Sequence, residues 1–81
     1  MDLYYKPYVF KQLKKIPRKE QLEIINKLEL LAKSPLSGKV LGGRMDNLRS
    51  LRVWPYRILY HIEKNTIIIR SIAHRQGVYT D

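Results

Sequence analysis

The stretch Leu48–Tyr60, LRSLRVWPYRILY, constrains this chain more than any other. Its residues alternate with a period of two, and Trp54-Pro55 interrupts the alternation at the midpoint, so it reads as two short strands around a tight turn. In the first strand Leu51 and Val53 share one face, and Ser50 and Arg52 the other. In the returning strand, Tyr56–Ile62, the side chains of Tyr56, Ile58, Tyr60 and Ile62 point one way and Arg57, Leu59 and His61 the other. Arg49, Arg52 and Arg57 are therefore expected close together on a hairpin. A planar guanidinium, charged at any physiological pH, suits phosphate oxygens, and the hairpin is read as a phosphate-facing surface.

Upstream, residues 2–5 form a short opening strand, and Pro7 sits where a helix starts, since its missing N–H is no loss in the first turn. Val9, Leu13 and Ile16 make a two-turn apolar stripe, which Pro17 ends in a helix–helix corner. A second helix is predicted from about Arg18 to Lys33. Leu22, Ile25, Leu28, Leu31 and Ala32 recur at steps of three and four, with Ile24 and Leu30 beside them. Its main face packs on the sheet, and the width of the apolar set leaves room for a partner helix as well. Ser34–Gly43 is a loop whose GKVLGG lacks the Walker spacing, so a nucleotide P-loop is rejected, although Lys39 and Arg44 can still touch a long anionic ligand. After the hairpin, a polar turn at 63–65 leads to a last strand, Thr66–Ala73. Its Ile67-Ile68-Ile69 run predicts burial on both faces and an interior position. The order β-α-α-β-β-β predicts one α+β domain over residues 1–81, with a mostly antiparallel sheet, both helices on one face, and the arginines on the other.

Composition narrows the function. Sixteen Lys and Arg against seven Asp and Glu leave a net charge of +9, which calls for a polyanionic partner, either nucleic acid or an acidic protein. With no cysteine and only two histidines, neither a disulfide framework nor a recognisable metal spacing exists, and no cofactor is expected. No apolar run spans a membrane and the N-terminus has no signal-peptide pattern, so a cytoplasmic protein is expected.

The strand LRSLRVWPYRILYHIE, the β-rich TIIIRSIAHR and a terminal VY together resemble the RelE/ParE superfamily of bacterial and archaeal toxins, over nearly the whole chain. The resemblance implies a toxin of a type II toxin–antitoxin pair, held by a small acidic antitoxin in a hetero-oligomer. The YRILY strand and the final HRQGVY are the specific parts of this resemblance, and in the RelE branch, which is the favoured one, such a toxin is an endoribonuclease that cuts messenger RNA at the ribosomal A site. In the ParE branch it poisons DNA gyrase without a nuclease site, and an inactive relative would act only with its antitoxin. Carried over by residue, the site comprises Arg57, Arg75 and Tyr79, with Arg52 as the basic position on the preceding strand. Ser50 stands where a basic companion is usual, and Arg49 is displaced by one residue. His74 is an alternative proton carrier, since it titrates nearest neutral pH. Trp54, if exposed, would stack on a base. On the second helix Ile24, Leu28 and Leu31 are the candidates to meet the antitoxin.

Overall fold

The fold, taken from a computed structural model, is described for residues 1–41 and 47–74. Strand β1 (Asp2–Tyr5) leads into helix α1 (Pro7–Lys14), then helix α2 (Arg18–Lys33), a 3-10 turn (Pro35–Ser37), and a two-residue strand β2 (Lys39–Val40). Strands β3 (Arg49–Val53), β4 (Tyr56–Glu63) and β5 (Thr66–His74) follow. The five strands make one sheet in the order β1-β5-β4-β3-β2. β1 runs parallel to β5, and every other pairing is antiparallel. The expected α+β architecture is therefore present, with a two-residue strand inside the segment expected to be loop.

Local chemistry explains where the elements stop. Pro7 opens α1, and the carbonyls of its last turn are taken up from the next helix: Gln21 Nε2 donates to Leu13 O at 2.6 Å and to Ile16 O at 3.0 Å. Leu13 O also accepts the Ile16 N–H at 3.0 Å, so the glutamine adds a tie from α2 to the corner that precedes Pro17. The β4–β5 hairpin turns on Lys64 and Asn65, both at positive φ, 49° and 65°. That conformation matches the twist of the flanking strands, and asparagine tolerates it well.

Both helices lie on one sheet face. Val9, Ile16, Ile24, Leu28 and Leu31 meet Leu51, Ile58, Tyr60, Ile67, Ile69 and Ile72 in a single core. Ile67 and Ile69 are two apart, but Ile72 breaks that parity. The change comes from a bulge: Leu59 pairs with Ser71 while Tyr60 pairs with Ile69, leaving Arg70 as the extra residue. One inserted residue flips every later side chain to the opposite face. Gln12 on α1 secures the spot by accepting the Ile72 N–H at 2.8 Å. Ile68 is only half-buried, because the face opposite the helices is uncovered, so β5 is interior to the sheet without being buried on both sides.

The core assignment corrects the expected docking face of α2. Ile24, Leu28 and Leu31 are 0%, 0% and 1% exposed, and no partner can reach them. Withdrawing any one from the core would cost about 1.5–3 kcal/mol. The α2 leucines that do face outward are Leu22 and Leu30.

Candidate functional site

The uncovered sheet face carries a cleft of about 490 Å³, lined by Ser37, Lys39, Leu41, Ser50, Leu51, Arg52 and Arg57. Strand register explains the gathering. Arg52 pairs directly with Arg57 across β3 and β4, and Lys39 pairs with Ser50 across β2 and β3. Ser50 and Arg52 are two apart on one strand and share a face, so the charged groups form two neighbouring rows. Arg57 is half-buried, whereas Arg52 and Lys39 are exposed. Among the described residues neither Lys39 nor Arg52 is ion-paired. Like charges placed directly opposite in a sheet are destabilising. A low-dielectric wall beside them also concentrates their field outward, where it attracts an anion.

Arg49 belongs elsewhere, and its expected place beside Arg52 and Arg57 is corrected. It pairs with Tyr60, whose side chain lies in the helix-side core, so strand alternation carries the guanidinium to that face. There its Nη1 donates to Gly38 O at 2.9 Å and to Leu36 O at 3.3 Å. Tyr60 completes the same fastening: its hydroxyl donates to Pro35 O at 2.8 Å and accepts the Gly38 N–H at 2.9 Å. A Cβ at Gly38 would overlap the phenol ring, so only glycine lets the loop approach this closely. Burial pushes the Tyr60 phenol above its ordinary pKa, against the Gly38 N–H and the Arg49 charge, which pull it down. Leu41 N–H donates to Leu48 O at 2.9 Å and holds the far end of β2. These contacts fix the strand that presents Lys39.

His74 is likewise separated from the arginines. The bulge at Arg70 turns it to the helix side, where its ring meets Tyr56 edge-on with centroids 5.4 Å apart. Tyr56 itself donates to Glu20 Oε1 at 3.1 Å, and burial followed by that carboxylate raises its pKa. His74 and Tyr56 line a second hollow with Tyr8, Gln12, Lys15, Ile16 and Ile72. A proton carrier acting on a group held by Arg52 and Arg57 has to stand on their face, and His74 does not. His61 is engaged as well: Arg70 Nη1 donates to its Nδ1 at 3.4 Å, which leaves Nε2–H to donate to Glu63 Oε1 at 3.2 Å.

Trp54 projects from the β3–β4 turn with 61% of its surface exposed. Arg44, Arg75 and Tyr79 lie outside the described residues. Ser37, Ser50 and Leu41 complete the cleft without having been expected there. Ser50 had a signal, since it shares the Arg52 face in the alternation. Ser37 had none, because the tertiary clamp on its loop brings it in. No three metal-ligating side chains stand together among the described residues, and no helix there is long and apolar enough to cross a membrane.

The family model of the ParE toxin of type II toxin–antitoxin systems matches residues 3–79. Among solved structures, the RelBE2 toxin–antitoxin complex from Mycobacterium tuberculosis contains a chain 26% identical, with a TM-score of 0.82 over 91% of this chain and 96% of that one. The RelB–RelE antitoxin–toxin complex from Methanococcus jannaschii matches at 28% identity and a TM-score of 0.77, covering 93% of each chain. The isolated RelE toxin of E. coli shares the fold at 19% identity, with a TM-score of 0.77 over 90% of this chain and 82% of that one. No curated protein matches in sequence.

Proposed function

Because the chain belongs to the ParE toxin family of type II toxin–antitoxin systems, and its uncovered sheet face carries a cationic cleft, we propose that it is a toxin that cleaves messenger RNA in the manner of the RelE branch. The observation that carries this reading is the directly opposed Arg52–Arg57 pair with Lys39 alongside. That arrangement costs stability in the free protein and is relieved by a phosphate between the guanidinium groups.

In this reading the substrate's own 2′-hydroxyl attacks the adjacent phosphorus and the bond to the 5′-oxygen breaks. The products are a 2′,3′-cyclic phosphate and a free 5′-hydroxyl. Arg52 and Arg57 hold the phosphate and stabilise the charge that gathers on its oxygens. One group removes the hydroxyl proton and another returns a proton to the leaving oxygen. With His74 on the other sheet face, the tail residue Tyr79 is assigned to proton transfer and Arg75 to charge, both in the segment that follows β5. A tyrosine serves as base only when neighbouring cations depress its pKa, which a cluster of arginines supplies. The proposed target is messenger RNA on the ribosome, at the A site.

The proposed second partner is an acidic antitoxin, ordered on the toxin in a hetero-oligomer. The net charge of +9 and the exposed Leu22 and Leu30 on α2 suit an acidic amphipathic segment. Two of the solved structures above are toxin–antitoxin complexes.

Primer extension on messenger RNA with and without ribosomes tests the nuclease reading. Wild type is expected to produce discrete cuts, and Arg57→Ala to reduce them about a hundredfold. The match to the ParE family model favours one other reading, inhibition of DNA gyrase without nuclease chemistry. A wild-type protein that blocks gyrase supercoiling and cuts no RNA under either condition establishes that reading instead.

A further inference from the structure

The cleft is longer than one phosphate requires. Arg52 and Arg57 occupy one row, and Lys39 and Ser50 the next row on the same face. The two rows are two residues apart on β3, roughly 7 Å, close to one repeat of an extended nucleic-acid backbone. The second row is built as well as charged. Ser50 is only 9% exposed, lines the cleft, and makes no hydrogen bond through its hydroxyl among the described residues. Lys39 stands directly across from it, on a two-residue strand that Tyr60, Arg49 and the Leu41–Leu48 bond hold in place. Because serine is small, the ammonium has room to lean over the position that a longer residue would fill.

We propose that the cleft takes two consecutive phosphates of one RNA strand: the scissile phosphate between Arg52 and Arg57, and its neighbour between the Lys39 ammonium and the Ser50 hydroxyl. This rests on the reading that the cleft is the RNA site, and it assigns the second row a positioning task. Anchoring the neighbouring phosphate fixes the strand along the cleft, so the 2′-hydroxyl and the phosphorus arrive aligned. Lys39 thereby supplies on β2 the positive charge that Ser50 does not supply on β3.

The test uses binding, so it is independent of cleavage. The probe is a fluorescent single-stranded oligoribonucleotide with a 2′-deoxy residue at the scissile position, which blocks attack. Its neutral methylphosphonate derivatives each have one phosphate replaced in turn. With the full-length protein, affinity is measured by anisotropy across a salt series. Wild type is expected to lose about tenfold in affinity at two adjacent linkages. In Lys39→Ala the penalty at one of those linkages should vanish, and the salt slope should fall by about 0.7, the value for one contact on a single strand. Ser50→Ala should reduce the same penalty and leave the slope unchanged, because it removes a hydroxyl and no charge. Equal penalties at both linkages in wild type and Lys39→Ala overturn the two-phosphate assignment while leaving the RNA site standing. A probe that does not bind wild type at all overturns the RNA site and this inference together.

Discussion

Tyr60→Phe removes one oxygen atom from the middle of the protein and is expected to cost more stability than any other change that small. The hydroxyl donates to Pro35 O at 2.8 Å and accepts from Gly38 N at 2.9 Å, and the ring around it is fully buried. Each hydrogen bond contributes about 1 kcal/mol net, and a buried donor left without a partner costs about 1–3 kcal/mol. Pro35 O lies in a surface turn where water can replace the lost donor. The Gly38 N–H is buried and has no such recourse. The sum is about 2–4 kcal/mol, which lowers the melting temperature by roughly 10–30 °C in a domain of this size. Thermal unfolding followed by circular dichroism reads this directly. Tyr56→Phe is the control: it loses one bond to Glu20, a residue that keeps access to water, and should cost less than about 1 kcal/mol. The clamp also seats β2, so Tyr60→Phe should weaken oligonucleotide binding at a temperature where the fold is intact. A melting temperature within about 3 °C of wild type refutes the argument that this hydroxyl fastens the loop.

Arg52→Gln should abolish RNA cleavage while raising the melting temperature by a few degrees, because it relieves the repulsion with Arg57 across the hairpin, about 0.2–1 kcal/mol; a destabilised variant would mean that Arg52 has a structural partner. His74→Ala should retain RNA cleavage, since the ring sits on the helix side against Tyr56, and loss of cleavage in a folded variant would return the proton-transfer task to it. Leu30→Glu should leave stability within about 0.5 kcal/mol of wild type, as an exposed position allows, and weaken antitoxin binding measured by calorimetry; unchanged affinity removes this face of α2 from the interface. Burial holds the phenols of Tyr5, Tyr56 and Tyr60 above 10.0, so the folded state keeps them neutral where the unfolded chain ionises them. That stabilisation is complete below about pH 10 and is lost as pH rises through the raised folded values, so unfolding scans between about pH 9 and about pH 11 should fall less steeply for Tyr60→Phe.

What the chain made legible was local. The repeat of apolar residues from Arg18 and the proline before it predict α2 at the bounds it has, and the alternation around Trp54-Pro55 predicts the hairpin and the shared face of Ser50 and Arg52. What was hidden depends on partners distant in sequence. The apolar set of α2 is wider than the sheet can cover, so periodicity cannot say that Ile24 is buried and Leu22 exposed. β2 is a strand because Ser50 and Arg49 pair with it, and two residues carry no period of their own. The bulge at Arg70 has no signature in TIIIRSIAH, yet it decides the face of His74. Arg49 is one position from Ser50, and that single step takes it from the cleft to the loop carbonyls.

Polar contacts on the helix side hold the fold together. On the helix side the polar groups that meet the core are partnered: Gln12 with Ile72, Gln21 with Leu13 and Ile16, Tyr56 with Glu20, and Tyr60 and Arg49 with the 34–38 loop. Those contacts join different elements, most of them far apart in the chain, and supply stability that a small core gives only in part. On the open face His61 bonds to Arg70 and Glu63, whereas Lys39, Ser50 and Arg52 make no such contacts among the described residues, and Arg52 stands opposite Arg57. Folding alone would replace either arginine with a threonine or valine, which packs better against a cross-strand neighbour. A sheet that keeps opposed positive charges on its uncovered face, and secures a two-residue strand from behind to add a third, is arranged for a polyanion. The helix-side clamp and the cationic cleft therefore depend on each other through β2, whose buried attachments give Lys39 its position.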